Sequence, residues 1–173
     1  LEWVGAARLV ALMALGLAVT NLGLPQPLTG PLVNALLFLA VESVGVSGAI
    51  FVGMVTPLGA ALSGVLPLPL LVLIPFIALG NATLAGVYGA LRQQHRGLAL
   101  AAAALAKFGL LYLAVSVLLW RPLTLAVGGA PQAVNIPAAL AEMMRWPQLA
   151  TALAGGLLAS ALRGAYLWWR QKR

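Results

Sequence analysis

The chain has 173 residues, 62% hydrophobic and 8% charged, with a formal charge of +7 and no cysteine. Soluble domains carry about 25% charged and about 45–50% apolar residues, so a chain of mean hydropathy +1.02 cannot cover itself with polar surface and is read as membrane-embedded. The absence of cysteine excludes disulfides, thiol catalysis and cysteine metal sites, and the length suits one domain over 1–173.

In chain order, six apolar stretches are long enough to approach the roughly 20 residues that a bilayer core about 30 Å thick demands. The first, 3–20, is closed by NLGLPQPLTG. Arg8 precedes its apolar part as in a signal peptide, but no convincing cleavage site follows, so it is read as a retained span. The second, 31–44, is short, and the third, 47–66, ends at PLPL. The fourth, 70–91, runs into RQQHRG; the fifth, 98–119, ends at Trp120-Arg121-Pro122. A longer connection, 120–146, leads to the sixth, 147–169. Backbone groups in lipid must bond within their own segment, so the spans are helices, and no alternating β-barrel pattern appears. The expected fold is an all-α integral membrane protein, a bundle of six transmembrane helices.

Charge sets the direction. Arg8, Arg92, Arg96, Arg163, Arg170, Lys172 and Arg173 fall on one side, Arg121 and Arg145 on the other. The positive-inside rule then puts both termini in the cytoplasm. The pI near 11.3 reflects this topogenic charge, and no nucleic-acid partner is expected. Tyr166, Trp168 and Trp169 anchor the cytoplasmic end of the last span.

Few polar groups lie inside the spans. Lys107, in ALAKFGLLY, falls near the midplane, where an ammonium costs roughly 2.5–3.5 kcal/mol on insertion scales. Asn81 lies at a similar depth and Thr56 at the middle of the third span. Asn34, Ser63, Gln148, Thr151, Tyr112 and Ser116 are placed nearer the outer face. Helical spacing aligns Asn81 with Ala78, Ala85 and Tyr88, aligns Gly53, Thr56, Ala60 and Ser63, and aligns Gln148, Thr151, Ala152 and Gly155. Small faces of this kind also serve plain helix packing. The candidate substrate-binding residues are Asn34, Asn81, Lys107, Tyr112, Gln148 and Thr151, although Tyr112 is turned away from the Lys107 face.

Two readings of Lys107 stand open. It faces a watery cavity and an anionic or carbonyl-bearing ligand, or it pairs with Glu42, the only acid within a span. There is no GxxxxGK[ST] loop for ATP. Glu2, Glu42 and Glu142 are too few for a metal cluster or a catalytic carboxylate pair, and His95 reads as a solvated loop residue. No cofactor, metal or enzymatic activity is expected.

On the first span Ala7, Ala11, Ala14 and Ala18 fall within about 60° of one another. Such a stripe lets a helix approach closely, whether inside the bundle or on a partner protein.

Six helices, cytoplasmic termini, the AxxxA stripe and the run PLTGPLVNALLFLAVESVGVSGAIFVGMVTPLGAALSGVLPLPLLVLIPFIALGNA (27–82) together resemble the S components of energy-coupling factor (ECF) transporters. The resemblance covers nearly the whole chain. It implies a high-affinity binding subunit for a small water-soluble vitamin or related micronutrient, in the prokaryotic cytoplasmic (inner) membrane. A separate transmembrane coupling subunit and two ATPase subunits would supply energy, with Ala7, Ala11 and Ala14 at the coupling interface. The loop 21–30 would act as a lid. The histidine-bearing N-terminus of the nickel and cobalt branch is missing, so metal uptake is not expected. A self-sufficient channel or carrier, and a non-transporting assembly factor, are the alternative classes.

Overall fold

The computed structural model describes residues 2–62, 64, 68–120, 123–127, 129–134 and 137–173; Ser63, Pro67, Arg121 and Pro122 lie outside the described residues. The chain is nearly all helical, in the order α1 (Glu2–Asn21), α2 (Gln26–Leu62), α3 (Ile74–Leu91), α4 (Arg96–Trp120), α5 (Ala138–Met143) and α6 (Trp146–Gln171). A 3-10 turn (Leu68–Leu73) leads into α3, and strands β1 (Leu123–Val127) and β2 (Ala130–Val134) lie between α4 and α5.

Proline marks where helices begin. Its fixed φ suits the first turn, where a missing amide hydrogen costs nothing. Pro75 and Pro147 occupy the opening positions of α3 and α6, and Pro27 falls in the first turn of α2. His95 precedes α4 and accepts the Leu98 amide hydrogen on Nδ1 at 3.2 Å, satisfying one of the donors that a helix start leaves free.

The expected spans 31–44 and 47–66 fall within one element, α2, which breaks at Gly45 (φ 80, ψ 178). That backbone conformation favours glycine. Leu37 Cδ2 lies 3.3 Å from where a Gly53 side chain would begin. Along a straight helix those residues would be about 24 Å apart, so the arms on either side of Gly45 fold back on each other. The hairpin sits centrally: α1, α3 and α6 pack on α2, and α4 packs on α3 and α6.

Four helices are long and apolar enough to cross a membrane: α1, α2, α3 and α4. The chain is a membrane-embedded protein by that criterion. The expected sixth span, α6, is not among them, because Gln148, Thr151, Arg163 and several glycines dilute its apolar content. Trp3, Val10, Phe51, Leu105, Leu113 and Leu157 are exposed, as side chains bathed in lipid are.

The all-α expectation needs one correction. The 120–146 connection holds an antiparallel hairpin, with Leu123 opposite Val134 and Val127 opposite Ala130. It turns through Gly129 at φ 84.

Two apolar clusters hold the bundle. The larger contains Leu37, Phe38, Val41, Val52, Leu84 and Ala103, where the α2 arms meet α3 and α4. The smaller joins Val72, Leu73, Val115, Leu118, Ala141 and Met144, tying α5 to the ends of α3 and α4.

Candidate functional site

Midway along α4, Lys107 is only 3% exposed. Its Nζ donates to Asn34 Oδ1 and to Asn81 Oδ1, both at 2.7 Å. An ammonium carries three donors, so one remains. Gly80 lies against the lysine stem: a Cβ there would sit 3.5 Å from Lys107 Cγ, an ordinary contact, and 3.3 Å from Leu111 Cγ.

Asn81 is itself held by a proline. Pro57, inside α2, has no amide hydrogen, so the carbonyl of Gly53 loses its helical donor. Asn81 Nδ2 donates to that carbonyl at 2.8 Å, and Thr56 Oγ1 donates to it at 3.3 Å. Gly53 permits this approach, since a Cβ would stand 2.8 Å from Asn81 Cβ. A helix fault in α2 is thereby converted into an orienting bond for an amide on α3. Its carbonyl is left facing the ammonium.

These groups line a cavity of about 240 Å³ that runs to one end of the bundle. Lys107, Asn34, Asn81 and Thr56 lie at its mid-bundle part; Thr20, Gln26, Thr29 and Gln148 line it nearer the helix ends. Leu140, Met143 and Met144, from α5 and the turn after it, supply an apolar wall. Among the described residues no carboxylate lines the cavity. Asn34 Nδ2 and the third ammonium hydrogen are spare donors there, suited to an anionic or carbonyl oxygen.

The structure brings together Asn34, Asn81, Lys107 and Gln148 of the six sequence candidates. Asn34 is deeper than expected, because α2 starts at Gln26 rather than at Pro31. Gln148 holds α5, donating from Nε2 to the carbonyl of Met143 at 3.2 Å. Thr151 is buried outside the cavity: its hydroxyl donates to the Gln148 carbonyl at 3.2 Å, and its side chain fills the space beside Gly30. Tyr112 is 37% exposed, packed on Phe108 with Arg145 above its ring. Neither belongs to the site.

The Lys107–Glu42 pair is not formed. Glu42 lies two turns past Asn34 on the same arm, roughly 12 Å further along the axis at about 1.5 Å per residue. There Tyr88 donates to Glu42 Oε1 at 2.8 Å, and Arg92, Arg96 and Arg163 stand 3.3, 3.9 and 3.9 Å from Oε2. At the opposite end, Arg145 pairs with Glu142 at 2.6 Å and reaches Ser116 at 3.5 Å.

Sequence reading missed Gln26 and Thr29 as lining residues, because 21–30 reads as a loop, and Thr20, because it closes the first span. Only residues 22–25 are non-helical there, which also shortens the expected lid. Pro27 carried the usable signal, a helix-start proline directly after Gln26. Ala7, Ala11, Ala14 and Ala18 are all exposed, on the face of α1 opposite the buried Gly16. The stripe therefore does not serve packing inside the bundle. Among the described residues no three His, Cys, Asp or Glu side chains converge as a metal site would require.

Compared with protein-family models, curated proteins and solved structures, the chain matches none of them.

Proposed function

We propose that this chain is a membrane-embedded, high-affinity binding subunit of the ECF type, an S component that captures a small water-soluble vitamin or related micronutrient. The observation that carries the reading is the cavity ending on buried Lys107, braced by two asparagines and left with a spare donor. Desolvating an ammonium is costly in a bilayer, and the two amide carbonyls occupy two of its three donors. A ligand carrying a carboxylate or carbonyl would complete the shell.

Six crossings fit the reading: α1, the two arms of α2, α3, α4 and α6, with both termini cytoplasmic and the cavity opening outward. Arg92, Arg96 and Arg163 then gather at the inner end, in keeping with the positive-inside rule. The exposed alanine stripe of α1 is the surface for a transmembrane coupling subunit, and two ATPase subunits supply the energy. Loss of the ECF module separates this reading from that of a self-sufficient carrier. In proteoliposomes the purified chain alone should move no solute from a vitamin panel, whereas co-reconstitution with a coupling subunit and ATPases should give ATP-dependent uptake. Uptake by the chain alone would overturn the assignment.

A further inference from the structure

A second cavity, of about 220 Å³, opens at the other end of the bundle between the first arm of α2, the start of α4 and α6. Arg96, Arg163 and Glu42 line it together with Leu39, Leu100 and Leu167. Three guanidinium groups surround the single Glu42 carboxylate, so the cluster carries an excess of two positive charges. Arg92, at 3.3 Å, is the closest of the three. Arg96 and Arg163 stand 3.9 Å away, attracted to the carboxylate yet beyond hydrogen-bond length. Both therefore keep their planar donor forks for another acceptor, and both border the cavity. Guanidinium forks match the oxygens of a phosphate group in a bidentate manner.

The rest of the lining selects further. Gly156 lies about 10 Å deeper than Arg163 along α6, at about 1.5 Å per residue. Between them Ala159 and Ser160 offer a narrow wall, and Leu100 faces Gly156 closely enough to exclude any side chain there. The cavity is thus charged at its rim and mostly apolar toward the bilayer interior. Basic clefts between helices at a cytoplasmic face are suited to anionic head groups, because that leaflet carries a negative surface potential.

We infer that this cleft binds the phosphate group of an anionic ligand through Arg96 and Arg163, and its apolar wall favours an anionic phospholipid over free phosphate as the source. The site is separate from the nutrient cavity, and its placement at the cytoplasmic face rests on the orientation proposed above.

Native mass spectrometry and thermal melts on delipidated protein test it, with phosphatidylglycerol, phosphatidylcholine and inorganic phosphate as separate probes. Phosphatidylglycerol should bind at least about tenfold more tightly than phosphatidylcholine, about 1.4 kcal/mol, and should raise the melting temperature. Arg96→Gln with Arg163→Gln should abolish that preference. Should the double variant fail to fold, Arg163→Gln alone, at a partly exposed position, should still weaken it severalfold. Stabilisation by inorganic phosphate with the same arginine dependence supports the site with the free ion as its source. Equal binding of the two lipids by the unaltered chain, or a preference that survives in the variants, overturns the proposal.

Discussion

Gly53 and Pro57 show how two residues that usually weaken a helix set the geometry of another. The proline frees a carbonyl, the glycine lets α3 come close, and Asn81 then bridges from the carbonyl to Lys107. Gly53→Ala places a methyl 2.8 Å from Asn81 Cβ, so α3 must shift. Overpacking of this kind costs typically about 1–3 kcal/mol, and a fall in melting temperature together with weaker ligand binding is the expected result. Unchanged values for both would mean that Asn81 is not held through this approach. Lys107 itself was conspicuous in the sequence because charge in an apolar helix stands out. Its partners were legible only as a set of amides, since pairing depends on where each helix starts. An offset of five residues at the start of α2, from Pro31 to Gln26, moved Asn34 to the depth of the ammonium.

At the scale of elements, periodicity located the helical segments within a few residues of where they lie. It could not distinguish two helices from one helix with a fold at Gly45, because that distinction rests on backbone torsion rather than on apolar pattern. The β1–β2 hairpin and α5 were likewise hidden: short segments in a mixed connection carry little periodic signal. The stripe on α1 was legible as a stripe, but which way it faced was not. Its exposure now makes a sharper expectation. Ala11→Trp has no neighbour in the bundle to displace, so thermal stability and ligand affinity should stay unchanged while uptake with the coupling module fails. Measuring binding and uptake on the same variant checks this, and parallel loss of both would place the stripe in the folding of the chain.

For the molecule as a whole, the separation of charge is the main feature. One end gathers Glu42 with three arginines, and the other holds the cavity beneath α5. Sidedness is readily tested because the chain has no cysteine. A single cysteine at Gln94, beside the arginine cluster, should react with a membrane-impermeant maleimide only from the cytoplasmic side. One at Thr124, on the exposed part of β1, should react only from outside. Reversed labelling would put the cavity on the cytoplasmic face and exclude capture of an external nutrient.

Lys107 is the group proposed to meet the ligand. Native mass spectrometry with a vitamin panel, run on the unaltered chain and on Lys107→Met, decides whether it does. Methionine preserves the apolar stem but removes the charge-assisted hydrogen bond, worth about 1.5–3 kcal/mol. It also strips the donor from Asn34 and Asn81, so some loss of melting temperature is expected in the folded variant. The unaltered chain should select one panel member, and the variant should bind it roughly ten- to a hundredfold more weakly, at about 1.4 kcal/mol per factor of ten. Selective binding with the same affinity in both proteins would contradict that role, leaving Lys107 a structural tie between three helices.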